Sequence, residues 1–153
     1  MIAADTALQT TLNICNHLSK NGLDYRLTGV AAANFYGYGL GTNVIDIAVE
    51  SDEAVYEAVK LLELPETSYF GTYDPYVSYL EYGGYIRIQG DVLGEPVSHP
   101  LGFKLHAKEL LLDRLDIYAG ADIGGRIEKA MAFIAMTMDQ EKIEKYQHIW
   151  NRL

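Results

Sequence analysis

The sequence predicts an α+β fold: a mixed β-sheet with helices on one face and a helical C-terminal third. The first observation behind this is the order of patterns along the chain, which runs helix, strand, short helix, strand, helix, hairpin, then helical periodicity from Leu105 onward. The second is that helices gather at one end instead of alternating with strands, which separates this chain from doubly wound parallel sheets. The third is size. At 153 residues, 49% of them apolar and 22% charged, the chain fits one domain that buries its core without disulfides. A single domain over 1–153 follows, with the sheet-bearing core over about 23–120 and C-terminal helices over about 121–153.

Apolar residues at Leu8, Leu12, Cys15 and Leu18 form a helical stripe between Thr6 and Lys20, and Asn21-Gly22 ends it with glycine just past the last turn. Leu23 to Thr28 reads as a strand running into Gly29. A short helix over 31–36 follows, broken by Gly37, Gly39 and Gly41. Val44 to Glu50 is a strong strand. Ser51 is then an N-cap for a helix that stops before Pro65, with Glu53 in its first turn. Tyr76–Tyr82 and Tyr85–Leu93 flank Gly83-Gly84, the pattern of a tight hairpin. Pairing Tyr82 with Tyr85 puts Val77, Tyr79, Ile86, Ile88 and Val92 on one face, and Ser78, Leu80, Arg87, Gln89 and Asp91 on the other. Helical patterns over 105–118, 127–138 and 141–153 complete the chain.

Charge and composition exclude several classes. The net charge is −9, and the imbalance lies in residues 1–103, which hold four Lys/Arg against thirteen Asp/Glu. Such a surface repels phosphate backbones, so non-specific nucleic-acid binding is not expected. No apolar run approaches the roughly 20 residues that span a bilayer. The N-terminus does not resemble a signal peptide, and the lone Cys15 sits on an amphipathic pattern as a buried thiol; a cytoplasmic protein is expected. His17, His99, His106 and His148 lack the pairing of a zinc-enzyme motif. The Gly37–Gly41 stretch lacks the Lys-Ser/Thr of a P-loop.

The strand at 44–50 carries the candidate chemistry. Ile45, Ile47 and Val49 alternate with Val44, Asp46, Ala48 and Glu50. Asp46 and Glu50 are expected on the open side of the sheet, beside Asp91 on the polar hairpin face. Carboxylates converging there suit Mg²⁺, an oxygen-seeking ion that would offset triphosphate charge; solvated strand residues are the competing reading. Here the chain resembles a family. Leu27-Thr28-Gly29-Val30, followed after a loop by Thr42-Asn43-Val44-Ile45-Asp46-Ile47, is similar to the signature of the nucleotidyltransferase superfamily, in its minimal or toxin-type members. In that family a strand ends in Gly-Gly or Gly-Ser at the head of a helix, and the next strand reads Asp-x-Asp or Asp-x-Glu. A third carboxylate arrives later, and Asp91 is its counterpart.

The resemblance implies Mg²⁺-dependent transfer of a nucleoside monophosphate from an NTP to a hydroxyl acceptor. Asp46 and Asp91 would be the catalytic and metal-binding carboxylates. Thr28, Gly29, Thr42 and Lys104 would contact the nucleotide. The chain departs from the pattern at two positions: Val44 replaces the first carboxylate, and Val30 replaces the second small residue of the glycine motif. A degenerate member with impaired transfer is therefore expected, holding metal weakly if at all. The alternative is a catalytically silent module that binds a protein partner through an acidic face rich in tyrosine (Tyr69, Tyr73, Tyr76, Tyr79, Tyr82, Tyr85). Trp150, with Ile143, Tyr146 and Ile149, docks the last helix on the core or forms a dimer seam, so the oligomeric state stays open.

Overall fold

The structure, a computed structural model, describes residues 4–39, 44–65, 76–80, 83–119 and 125–152. Thr42, Tyr69, Tyr73 and Tyr82, and the side chain of Trp150, lie outside the described residues. The first helix, α1 (Ala4–Lys20), ends as its sequence dictates. Gly22 takes the left-handed conformation (φ 77°), its N–H donates to the Ser19 carbonyl at 3.0 Å, and the Leu23 N–H donates to the Leu18 carbonyl at 3.0 Å. Those two bonds satisfy carbonyls that the helix leaves open.

Strand β1 (Arg26–Leu27) leads into α2 (Gly29–Phe35), and β2 (Val44–Val49) into α3 (Asp52–Leu61). Ser51 caps α3 through its side chain, which accepts the Ala54 N–H. Strands β3 (Tyr76–Tyr79) and β4 (Tyr85–Gly90) form the hairpin. Two short strands follow, β5 (Val97–Ser98) and β6 (Lys104–Leu105), before helices α4 (Lys108–Ala119), α5 (Arg126–Met136) and α6 (Gln140–Arg152). Asp139 caps α6, accepting the Lys142 N–H at 3.0 Å. No described helix is long and apolar enough to cross a membrane.

The six strands form one mixed sheet in the order β3-β4-β2-β1-β6-β5, and the class is α+β as expected. β2–β4 and β1–β6 pair parallel; the other neighbours pair antiparallel. Helices α1 and α3 pack together, with α3 against β2 and β4, while α2 packs on β2, α4 and α5. Register assigns the faces. Leu27, Ile45, Ile47, Ile86, Ile88 and Leu105 share one face and are all buried. Burying an aliphatic side chain of this size stabilises by about 2 kcal/mol, so this face carries much of the fold.

Two expectations are corrected. The hairpin pairs Tyr79 with Tyr85, not Tyr82 with Tyr85. The shift is odd, so it exchanges the two faces of β3: Tyr76 and Ser78 are buried with Ile88 and Ile86, while Tyr79 is 86% exposed. The cause is the loop: Leu80 accepts from Gly83 and donates to the Gly84 carbonyl, so the turn takes up more residues than the glycine pair. The second correction concerns 104–107. Lys104 and Leu105 are strand β6, beside β1, and the helix begins only at Lys108.

Candidate functional site

Asp46 lies at the centre of the sheet, and the local sequence explains its surroundings. Its carbonyl accepts the Thr28 N–H at 3.0 Å, tying β2 to the residue that precedes α2. Gly29 opens α2 at φ 63°, a conformation that disfavours any residue with a Cβ. A Cβ there would also stand 2.5 Å from Asp46 Oδ2, so only glycine fits on both counts. The register between β2 and β4 sets Arg87 directly beside Asp46, and Arg87 Nε donates to Asp46 Oδ1 at 2.5 Å. Asp46 is 3% exposed. Burial pushes its carboxyl above the ordinary carboxylate value, and the adjacent Arg87 charge and hydrogen bond offset only part of that rise.

Above this pair lies a small cleft. Thr28, Gly29 and Val30 line one end, Asp46, Arg87 and Gln89 the sheet side, and Arg114 and Leu115 of α4 with Ile127 of α5 the helical side. The Asp46 face, expected to be open, is thus covered by helices. The cavity volume is about 30 Å³, the scale of a bound water and far below the several hundred Å³ of a typical ligand pocket. Val30, where the family pattern has a second small residue, contributes its branched side chain to the lining.

A second ion pair anchors the loop after β4. The Asp91 N–H extends the sheet to the Val49 carbonyl at 2.7 Å. Its side chain accepts the Val92 N–H at 2.7 Å and Arg114 Nε at 2.5 Å. His106, fully buried, holds the same loop. Its Nε2 lies 2.9 Å from the Val92 carbonyl, and its Nδ1 lies 2.9 Å from Thr28 Oγ1. A carbonyl only accepts, so Nε2 carries the proton, and the neutral ring accepts the Thr28 hydroxyl at Nδ1. Thr28, in the N-cap position of α2, turns its hydroxyl to this ring and makes no side-chain cap. Burial lowers the His106 pKa below 6.5, opposed by the bond to Val92 and by the nearby Asp91 charge. Arg26, also buried, donates to the Gly94 carbonyl at 2.6 Å, so the loop is pinned at three points.

Of the residues singled out in the sequence, the structure brings Thr28, Gly29 and Asp46 to one cleft. Asp91 does not line it, because its carboxylate turns to Arg114 and the Val92 amide. Lys104 lies on β6, where its ammonium bonds Asp24 at 3.1 Å. The residues that sequence reasoning missed as site residues are Arg87, Gln89 and Arg114. The first two were placed on the polar face of the hairpin, and their register beside β2 is what the alternation did not supply. Arg114 lies on a helix with no motif around it.

The described residues of the cleft do not fit Mg²⁺. Among the described residues no group of three or more His, Cys, Asp or Glu could hold a metal ion. The one carboxylate in the cleft lining is bonded to a guanidinium, and a second guanidinium stands in the same lining. A divalent cation needs several oxygens and is repelled by both arginines.

The architecture is that of the nucleotidyltransferases. The chain matches a candidate nucleotidyltransferase from Thermotoga maritima with a TM-score of 0.62 at 17% identity, over 97% of this chain and 96% of that one. It matches the antibiotic-resistance factor ANT(2″)-Ia, crystallised with adenylyl-2″-tobramycin, with a TM-score of 0.61 at 13% identity, over 96% and 98%. An antigenic nucleotidyltransferase-like protein from Paracoccidioides brasiliensis gives 0.59 at 12%, over 99% and 89%. No protein-family model and no curated protein matches the chain. At these identities the likeness is one of fold, and it agrees with the fold that the Thr28-Gly29 and Val44–Ile47 segments implied.

Proposed function

We propose that this chain is a nucleotidyltransferase-fold protein in which transfer of a nucleoside monophosphate from an NTP to a hydroxyl acceptor is impaired. The observation that carries the reading is the buried Asp46–Arg87 pair: the carboxylate that aligns with a metal ligand of the family is already neutralised by an intramolecular cation. Val44, half-buried two residues earlier on the same strand, supplies no second oxygen. In phosphoryl and nucleotidyl transfer, positioning and charge stabilisation account for most of the catalysis, so losing the metal clamp is severe.

The test is incubation of purified protein with each radiolabelled NTP and Mg²⁺ or Mn²⁺, scoring label transfer and NTP turnover. The expected result is neither. Label transfer that disappears in Asp46→Ala would overturn the reading and restore an active enzyme.

A second reading, a binding module for a protein partner, is favoured by one feature of the hairpin. Tyr79 is 86% exposed and meets Tyr85 edge-on at 6.4 Å between ring centroids. Exposed tyrosines of this kind are enriched where proteins meet. A partner that co-purifies stoichiometrically with the wild type and is lost from Tyr79→Ser would support it; monomeric, partner-free protein in both would count against it.

A further inference from the structure

We infer that His106 is an acid-operated latch: as a neutral ring it fastens the loop after β4, residues 91–96, to the start of α2, and as an imidazolium it lets that loop open. The inference stands apart from the question of nucleotidyl transfer.

How completely His106 is committed is the first argument. Its backbone N–H donates to the Leu27 carbonyl at 3.0 Å, and its carbonyl accepts the hydroxyl of Tyr36, the C-cap of α2, at 2.6 Å. The main chain is thus locked to β1 and to α2, and the fully buried ring cannot swing out to water alone. The ring then ties together two segments that no strand pairing joins, Thr28 at the head of α2 and Val92 in the loop. Nε2 already carries the proton given to the Val92 carbonyl, so Nδ1 is the atom that acid protonates. The Thr28 hydroxyl then loses its acceptor.

Charge is the second argument. The charged groups facing the ring are Arg26 from β1, Arg114 from α4 and Asp91 from the loop itself. The Asp91 carboxylate already accepts Arg114. Lys104 and Lys108, the cations nearest in sequence, turn to Asp24 and to the Tyr36 ring. A charged His106 is therefore a third buried cation beside two guanidiniums, with one shared carboxylate between them. Such a charge is costly away from water, and hydration relieves the cost. Burial accordingly holds the His106 pKa below its ordinary 6.5.

The third argument is what can move. Of the segments around the ring, β1, β6 and the helices are held by regular hydrogen bonding, and the loop is not. Val92, Gly94, Glu95 and Pro96 are exposed, so lifting the loop uncovers little apolar surface. Its remaining side-chain anchors are Arg26 on the Gly94 carbonyl and Arg114 on Asp91, the same two cations that a charged ring repels. Protonation therefore strains all three ties at once. Because the loop carries Asp91, which holds Arg114 of the cleft lining, its release also loosens the helical wall of the cleft.

The experiment is amide hydrogen exchange followed by NMR from about pH 7.5 to about pH 5, corrected for the intrinsic pH dependence of exchange. The probes are the Asp91 and Val92 N–H groups, bonded in the closed loop to the Val49 carbonyl and the Asp91 carboxylate. In the open loop the ring titrates near its ordinary value, so protection of both should fall by up to about tenfold per pH unit below about 6.5. Amides of β2 and β4 should keep theirs. His106→Gln, which offers one donor and one acceptor and cannot be protonated, should flatten the dependence. Thr28→Val removes a bond made only in the closed, neutral state; it should lower protection already at neutral pH and shorten the range over which acid lowers it further. Thr28→Ser keeps the hydroxyl and should follow the wild type, so the Val and Ser pair tests the latch even if His106→Gln does not fold. Protection that is flat with pH in the wild type, that falls equally in His106→Gln, or that is the same in Thr28→Val as in Thr28→Ser overturns the inference. So does an equal loss across β2 and β4, which is global unfolding and not a latch.

Discussion

Two arginine–carboxylate pairs flank the cleft with the same Nε–oxygen distance, 2.5 Å, yet they are built differently. Asp46–Arg87 is a product of sheet register: two neighbouring strands bring the residues side by side, and the carboxylate end is buried. Asp91–Arg114 joins the loop after β4 to a helix, and water reaches both ends. A hydrogen-bond length alone thus says little about what a pair does. The first pair neutralises a carboxylate that has nowhere else to put its charge. The second fastens a loop that His106 and Arg26 also hold.

Removing Arg87 should have the largest effect on stability. Arg87→Ala strands Asp46 in the sheet and is expected to cost about 3 kcal/mol at pH 7. The loss should shrink toward pH 5, because the stranded carboxylate can take up a proton. Arg87→Gln/Asp46→Asn, which removes both charges together, should cost clearly less than the single change. Urea denaturation of the three proteins at the two pH values checks this, and equal losses for single and double variants would break the distinction.

Arg114→Ala should cost only about 1 kcal/mol, since Asp91 keeps its bond to the Val92 N–H and some contact with water, and the loop keeps its other anchors. The same denaturation series measures it, and a loss as large as that of Arg87→Ala would make the two pairs equivalent.

The smallest expected effect is the pH dependence owed to His106. Its folded-state pKa is depressed below 6.5, so its contribution to stability is present above 6.5 and is lost as pH falls through the folded value. The groups facing it are Thr28, Asp91, Arg114 and Arg26. Melting temperature should therefore decline more steeply between about pH 7 and 5 in the wild type than in His106→Gln. Parallel curves would show that the ring is not the group responsible.

Much of the fold was legible because local signals and tertiary structure agree. Ser51 caps the helix it precedes, Gly22 closes the first helix, and the alternation over 44–49 places the aliphatic residues on the apolar face and Asp46 on the other. The hairpin register was not legible. Gly83-Gly84 advertises a two-residue turn, but the ladder begins at Tyr79–Tyr85, and an odd shift sends Tyr76 inward and Tyr79 outward. Strands β5 and β6 escaped notice because two residues carry no period. Of the residues lining the cleft, Asp46 was marked by strand alternation, and Thr28 and Gly29 by the resemblance to the nucleotidyltransferase signature. Arg87 and Arg114 carried no such mark, since their roles come from which strand lies beside β2 and which helix lies over it, and both are long-range facts.

The sheet order carries one more consequence, for colloidal behaviour. Among the described residues its two outermost strands are both short: β3 spans four residues and β5 two. Long, flat edge strands invite a second sheet to add on, and short ones give a docking strand few hydrogen bonds to collect. The longer six-residue strands, β2 and β4, are both interior to the sheet. Together with the mutual repulsion of molecules carrying net charge −9, this arrangement favours a chain that stays dispersed at high concentration while leaving Tyr79 displayed on its edge.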